Sequence, residues 1–191
     1  MHLDLILEKA LIRFGGRALT IIETGTIRGS SDASHVGDGW STVWFAAYTK
    51  RTWSPSESRF ISIDLDVSCA REVVEQQDLL GYVELVQAHS ISALARLATA
   101  GVRSDVLFLD SDNDPKLIFH EFLIACELSR GGGLILVDDV ALPGRQSMGA
   151  RKGELVIPHI RDALGLPFSL VERTGWRGYK TGVLAVDVGT Q

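Results

Sequence analysis

The amino-acid sequence predicts a doubly wound α/β fold, in which helices cover both faces of a mostly parallel seven-stranded sheet that ends in an antiparallel hairpin. Short apolar runs alternate along the chain with segments of helical periodicity, which is the order of a parallel sheet with helical crossovers. The runs are apolar throughout, as in strands buried on both faces. Near the C-terminus, two strand-like segments flank Gly175-Trp176-Arg177-Gly178, which indicates a hairpin. A chain of 191 residues suits one domain, predicted over residues 1–191.

The elements follow in chain order. Apolar residues from Leu3 to Ile12 recur with helical spacing and stop at Gly15-Gly16, so a first helix closed by glycine is predicted. Strands are predicted at residues 19–23, 60–63, 83–86, 106–109, 134–137, 169–173 and 181–188. Helices are predicted at residues 41–50, 70–80, 90–100, 115–128 and 154–164. Asp114-Pro115 supports the start of the fourth of these helices, because it combines an N-cap acid with proline in the first turn.

Composition excludes several classes of protein. The net charge is −5 and 46% of the residues are hydrophobic, which fits neither a disordered chain nor a polybasic nucleic-acid binder. Cys69 and Cys126 are the only cysteines, so a disulfide framework and a four-cysteine zinc site are excluded. Asp4 and Glu8 stand where a signal peptide would carry a basic region, and no apolar run approaches the roughly 18 residues of a membrane span. We expect a soluble cytoplasmic protein with a small-molecule partner, no nucleic acid and no membrane; whether it forms a homo-oligomer stays open.

The predicted strand ends are rich in acidic residues. In an open α/β sheet the ligand lies beyond the carboxyl ends of the strands. The residues there are Glu23-Thr-Gly25-Thr-Ile-Arg-Gly29, Asp64-Leu-Asp66, Gln87-Ala-His89-Ser90, Asp110-Ser-Asp112-Asn113-Asp114 and Asp138-Asp139. Carboxylates favour a cationic or hydroxylated ligand, and glycine in the first turn lets the backbone approach that ligand closely. Neither a G-x-x-x-x-G-K nor a G-x-G-x-x-G motif is present, which disfavours nucleoside triphosphates and dinucleotides.

Four strings, taken in order, carry a family resemblance. IIETGTIRG, FISIDLD, DVLFLDSDND and LSRGGGLILVDD resemble the successive motifs of class I S-adenosylmethionine (SAM)-dependent methyltransferases, especially the small-molecule O-methyltransferases. The resemblance covers residues 3 to about 140. It implies a Rossmann-like sheet, SAM as the cofactor, and an enzyme that methylates a small-molecule acceptor, most often at a hydroxyl group.

The resemblance also implies a role for individual residues. The methionine end of SAM would be lined by Glu23, Gly25, Thr26 and Gly29. Asp64 would bind the ribose hydroxyls, with Asp66 as the competing choice, and His89 and Ser90 would contact the adenine. Asp110 would stand near the sulfonium and the acceptor. Because SAM is cationic at its sulfur and its amino group, a pocket lined by acids has a physical reason to bind it.

The sequence departs from the family pattern between Gly29 and Ser41. Family members run from the glycine turn directly into a helix, whereas residues 30–40 intervene here. Apolar helical spacing resumes after Ser41, so the helix-start serine at the methionine carboxylate is predicted to be Ser41 rather than Ser31. The segment is either a substrate lid that contains His35, Asp38 and Trp40, or an insertion without such a role.

The acids that follow the fourth and fifth predicted strands have two interpretations, and one of them is a divalent metal site. Asp110, Asp138 and Asp139 match in order the three oxygen ligands of the metal-dependent O-methyltransferases, in which the last ligand is usually asparagine. Mg²⁺ prefers such ligands and would acidify hydroxyls bound to it. In the alternative interpretation no metal binds, and the acids position substrate or cap backbone amides while one of them acts as the general base.

The sequence differs from the resembled family at the position of the catalytic acid–base residue. Asn113 stands where catechol-type enzymes have a catalytic lysine and sugar-type relatives a histidine. Asparagine cannot accept the proton, so Asp110 and Asp112 are the candidate catalytic residues. Arg145, Arg151 and Lys152, in the loop after the fifth strand, are expected to be solvated rather than to cover an anionic substrate.

Two rival functions stay open beside the SAM-dependent O-methyltransferase. One is an NAD(P)-dependent oxidoreductase on a related sheet, which the missing G-x-G-x-x-G motif disfavours. The other is a SAM-binding module without catalysis, which the substitution at Asn113 suggests.

Overall fold

Seven strands form one sheet in the computed structural model, which describes residues 2–29, 40–52, 58–144, 151–174 and 180–189. The strands are β1 (Thr20–Thr24), β2 (Arg59–Asp64), β3 (Glu84–Gln87), β4 (Ser104–Leu109), β5 (Ser129–Val140), β6 (Phe168–Thr174) and β7 (Lys180–Val188). Their order across the sheet is β3-β2-β1-β4-β5-β7-β6. The first five strands are parallel, and β7 pairs antiparallel with both β5 and β6. The predicted fold class is confirmed.

Six α-helices are found in the described part of the chain. They are α1 (Leu3–Leu11), α2 (Ser41–Arg51), α3 (Ser68–Gln76), α4 (Ser90–Thr99), α5 (Pro115–Leu128) and α6 (Gly153–His159). A π-helical turn, Ile160–Leu164, extends α6. The first helix ends as predicted, since a 3₁₀ turn follows α1 and closes at Gly15 in the left-handed conformation. The start of α5 is also confirmed, because the side chain of Asp114 accepts a hydrogen bond from the backbone N–H of Lys116.

The sheet separates two apolar cores. Successive side chains of a strand point to opposite faces, so Ile21 of β1 packs with α1 and α2 while Ile22 packs with α4 and α5. Phe45 of α2 contributes to one core and Phe122 of α5 to the other, and both are completely buried. This burial on both faces explains why the strands are apolar throughout.

The strand β5 is longer than predicted and contains a bulge. Val137 pairs with Leu184 and Val140 pairs with Gly182, so β5 has one extra residue opposite β7. Asp139 lies inside the bulge with φ +48°, a left-handed conformation that aspartate adopts more readily than most residues. Side chains of a regular strand alternate between the two faces of the sheet, and the bulge interrupts this alternation at Asp138 and Asp139.

The connections from β1 and β4 leave the sheet in opposite directions. The chain after β1 leads to α2 on one face, and the chain after β4 leads to α5 on the other. A crevice forms at such a switch point, beyond the carboxyl ends of the two strands. Of the described helices, none has both the length and the apolar character that a membrane crossing requires.

Candidate functional site

Gly25 brings the turn after β1 against the end of β4. Its N–H donates to the carbonyl of Ile63, and the N–H of Asp110 donates to the carbonyl of Thr24. Gly25 has φ +87°, and a Cβ atom on it would lie 2.4 Å from the carbonyl oxygen of Asp110. The glycine is therefore required by a close approach between two strand ends. The approach of a ligand to this glycine stays a prediction.

Glu23 lies beneath this turn and is completely buried. Its Oε1 accepts a hydrogen bond from Ser41 Oγ at 2.5 Å, and its Oε2 accepts from Thr42 Oγ1 at 2.7 Å and Ser62 Oγ at 2.5 Å. Burial raises the pKa of the Glu23 carboxyl group from 4.5 to about 7, although the three hydroxyl groups oppose the shift. Both oxygens accept from protein hydroxyls, so Glu23 positions α2 against β1 and β2. Its contact with the methionine end of a cofactor stays a prediction.

The start of α2 faces the same crevice. Ser41 is the first residue of the helix and is held by Glu23, so its first-turn N–H groups are fixed close to the end of β1. The indole Nε1 of Trp40 donates to the carbonyl of Gly29 at 3.2 Å, which joins the two ends of segment 30–39. That segment, with Ser31, His35 and Asp38, lies outside the described residues.

Asp64 shapes the loop after β1 from the end of β2. Its Oδ2 accepts from the N–H of Thr26 at 2.8 Å, and its Oδ1 accepts from the N–H of Leu65 at 2.6 Å. Asp66 is exposed, and hydrogen bonds from the side chain and the N–H of Ser68, at the start of α3, lower the pKa of its carboxyl group. Asp64 thus joins the ends of β1 and β2, while Asp66 serves as an acceptor at the start of α3. Which of the two binds a ribose stays a prediction.

A second buried carboxylate, Glu121 of α5, was not foreseen from the sequence. It is completely buried, and its oxygens accept from Thr24 Oγ1 at 2.8 Å and Ser111 Oγ at 2.5 Å. It also accepts from the hydroxyl group of Ser90, so that hydroxyl is already engaged, while the neighbouring His89 is exposed. Burial raises the pKa of Glu121, and its partner hydroxyls together with the charge of Lys152 lower it. The sequence did contain a signal for this buried acid, since Glu121 lies on the apolar face of the helix in the segment LIFHEFL.

The three predicted metal ligands do come together. Carboxylate oxygens of Asp110, Asp138 and Asp139 lie within 4.8 Å of one another, because the bulge in β5 turns the two adjacent side chains toward the end of β4. We call these residues the three-acid cluster. Burial and the charge of Asp110 raise the pKa of the Asp139 carboxyl group. Within the described residues, the buried Oδ1 of Asp138 has no hydrogen-bond partner.

Two buried cations neutralise this cluster. Arg173 of β6 pairs with Asp138, and its Nη1 also lies 3.9 Å from Asp139. Lys152, directly before α6, forms an ion pair with Asp110. Lys152 is only 2% exposed, which corrects the expectation of a solvated side chain, while its neighbour Arg151 is exposed and pairs with Glu154. These ion pairs could not be predicted from the sequence, because Lys152 and Arg173 lie far along the chain from the acids they bind.

The residues present do not fit a divalent cation well. One oxygen of Asp110 and one of Asp138 already bind a cationic side chain. Two unit charges 4 Å apart interact by about 4 kcal/mol at the effective dielectric of a protein, and a double charge meets twice that repulsion from each like charge. A metal ion among these oxygens would therefore compete with the ammonium group of Lys152.

The other candidate acid–base residues lie outside the cluster. Asp112 is exposed, and its Oδ1 accepts from the N–H of Asp114 at 3.0 Å. Asn113, at the position of the family's catalytic lysine or histidine, is exposed as well. Asp110 lies in the three-acid cluster, whereas Asp112 takes part in the turn before α5.

Comparisons with known proteins agree on one family. A family described as a methyltransferase domain matches residues 35–140. A catechol O-methyltransferase of Niastella koreensis is 27% identical over 133 residues, which make up 68% of this chain and 52% of that protein. The chain thus spans about half the length of this curated relative.

Solved structures share the fold. The O-methyltransferase TomG of Streptomyces achromogenes, involved in tomaymycin synthesis and solved with SAM, superposes with a TM-score of 0.68 at 23% identity, over 97% of this chain and 79% of TomG. An O-methyltransferase of Bacillus cereus solved with SAH superposes with a TM-score of 0.66 at 22% identity, over 96% of this chain and 78% of that one. Since the family match alone covers more than half of the sequence, the chain belongs to this family of methyltransferase domains.

Proposed function

We propose that this protein transfers a methyl group from SAM to a hydroxyl group of a small molecule. The observation that supports this proposal most directly is that Asp64, Thr26 and Asp110 lie together at the switch point between β1 and β4. The family match and the catechol O-methyltransferase relative support the same reaction. The oxidoreductase alternative finds no support in the family match or the relatives.

SAM would lie across the ends of β1, β2 and β4. Its carboxylate suits the first-turn N–H groups of α2 at Ser41, because a helix N-terminus favours an anion. The carboxylate of Asp64 suits the ribose hydroxyls, and the loop at His89 and Ser90 suits the adenine. The hydroxyl group of Thr26 is buried and has no partner among the described residues, so it has a hydrogen bond to offer a ligand.

The reaction itself needs little covalent help from the protein. The acceptor oxygen attacks the methyl carbon, the carbon–sulfur bond breaks, and its electron pair stays on sulfur to give S-adenosylhomocysteine (SAH). The proton of the hydroxyl group passes to a carboxylate at this edge. Asp110 is favoured over Asp112 for that role because Asp110 lies in the three-acid cluster while Asp112 is exposed and occupied by the N–H of Asp114. The contribution of the chain is to hold both reactants in line and to exclude water.

Calorimetric titration of SAM into the protein tests this proposal. We expect saturable binding, and we expect Asp64→Ala to weaken it more than tenfold, about 1.4 kcal/mol or more, because the ribose contacts are lost. Glu72→Ala is the matched control, since Glu72 is exposed on α3 and should leave the affinity within twofold.

The variant Asp66→Ala separates the two candidate ribose acids. If Asp66→Ala weakens SAM binding and Asp64→Ala does not, the ribose contact lies at Asp66 instead. Absence of SAM binding at millimolar concentration would overturn the proposed function. Binding without methyl transfer to any hydroxyl acceptor would favour the SAM-binding module over the enzyme.

A further inference from the structure

The burial of Lys152 results from close packing at the start of α6. Gly153 follows it directly, and a Cβ atom at Gly153 would lie 2.5 Å from Cγ1 of Val140. Because glycine has no such atom, α6 begins tightly against the end of β5 and directs Lys152 inward to Asp110. A buried lysine is rare unless an acid pairs with it, so this position is a specific feature of the fold.

The ammonium group acts on more than one acid. It pairs with Asp110, and its charge lowers the pKa of both Asp139 and Glu121. It is therefore a positive charge that acts on acids from β4, β5 and α5, and it pairs directly with Asp110, one of the three predicted metal ligands.

The second cation completes the charge balance. Arg173 neutralises Asp138, which leaves the cluster with three acids and two buried cations. Asp138 Oδ1 remains without a partner among the described residues, and the side chain of Asp139 is 37% exposed. These oxygens are available to accept a hydrogen bond from a hydroxyl group at the crevice.

We propose that Lys152 is the built-in cation of this site and takes the place of a divalent metal, so that the acceptor is bound without one. The statement about the acceptor rests on the proposed function, whereas the statement about the metal does not. Because Lys152 is only 2% exposed, its ammonium group stabilises negative charge at the crevice through its own positive charge beside Asp110 rather than by touching the acceptor. Asp110 holds the ammonium group in place.

Titration with Mn²⁺, followed by the electron paramagnetic resonance signal of the free ion, tests the proposal without an acceptor. We expect the chelator-treated wild-type protein to bind no stoichiometric Mn²⁺ up to about 1 mM. Lys152→Ala and Lys152→Gln remove the competing charge, and we expect each to bind one Mn²⁺ at least tenfold more tightly than the wild type. Arg151→Ala is the matched control, because Arg151 is the adjacent cation but is exposed and pairs only with Glu154 among the described acids.

Stoichiometric binding of Mn²⁺ by the wild type would overturn the proposal, and so would two folded Lys152 variants that bind Mn²⁺ no better than the wild type. If neither variant folds, the wild-type titration decides alone. Binding of SAH is measured separately on the same proteins. Failure of the wild type to bind SAH would reject the proposed function and leave the result with Mn²⁺ unaffected.

Discussion

Glu23 is a buried acid whose partners are hydroxyl groups rather than cations. Ser41, Thr42 and Ser62 stabilise the carboxylate, but desolvation is the larger effect and keeps the pKa near 7. Below about pH 4.5 the carboxyl group is protonated in both the native and the unfolded state. Between that pH and 7 only the native state keeps the proton, so the contribution of Glu23 to the free energy of unfolding falls as the pH rises.

We therefore predict that Glu23→Gln removes a pH-dependent loss of stability. The full difference in pKa corresponds to about 3 kcal/mol. Relative to the wild type, the variant should gain most of this amount between about pH 5 and pH 8, measured by urea unfolding of the protein without ligand. Glu75→Gln, at an exposed position, should follow the wild type at every pH. A constant difference between Glu23→Gln and wild type across this range would show that Glu23 is not protonated in the native state.

At the scale of elements, α5 holds the crevice together through Glu121. The helix lies under β1 and β4, and Glu121 accepts hydrogen bonds from β1, from the loop after β4, and from the first residue of α4. A single side chain thus fixes three elements that end at the proposed SAM site. Asp114, directly before the same helix, caps its first turn by accepting from the N–H of Lys116.

Glu121→Ala is expected to lower the free energy of unfolding by about 3 kcal/mol, because it leaves the hydroxyl groups of Thr24, Ser90 and Ser111 without their acceptor. Glu121→Gln keeps an acceptor oxygen and should cost less. The matched control is Glu127→Ala on the same helix, where the side chain is exposed and a change within about 0.5 kcal/mol is expected. Equal effects of Glu121→Ala and Glu127→Ala in urea unfolding would contradict this account of α5.

At the scale of the whole molecule, both cores depend on one sheet. Ile21 and Ile22 are neighbours on β1, yet they belong to different cores, so neither core can lose its packing without exposing the strand shared with the other. This continuity agrees with the interpretation of residues 1–191 as one domain, which stays a prediction.

The prediction that follows concerns cooperativity. Phe45→Ala in one core and Phe122→Ala in the other should each cost about 3 to 5 kcal/mol and shift the same single unfolding transition. Leu123→Ala is the control beside Phe122, since Leu123 is 38% exposed. Thermal unfolding, followed by far- and near-ultraviolet circular dichroism, makes the comparison. Two separate transitions, one moved by each variant, would show that the cores unfold independently.

Much of the fold was available from the sequence, because a strand buried on both faces needs a continuous apolar run. For that reason β1, β2 and β4 were located together with the acids at or just after their ends, Glu23, Asp64 and Asp110. The bounds of β5 were less accurate, since its first residues, including Gly131 and Gly132, are not apolar. The meeting of Asp138 and Asp139 with Asp110 was expected from the family resemblance, and it agrees with the rule that parallel strands end at the same edge of a sheet.

The tertiary structure alone decided what each acid binds. Glu23 and Glu121 are buried among hydroxyl groups, and Lys152 reaches Asp110 across 42 positions of the chain. Local periodicity reports whether a residue faces a core, but it contains no information about which distant charge lies opposite. The sequence by itself determined the order of elements and the edge at which the site lies. Only packing between elements decided that the three-acid cluster contains its own cations.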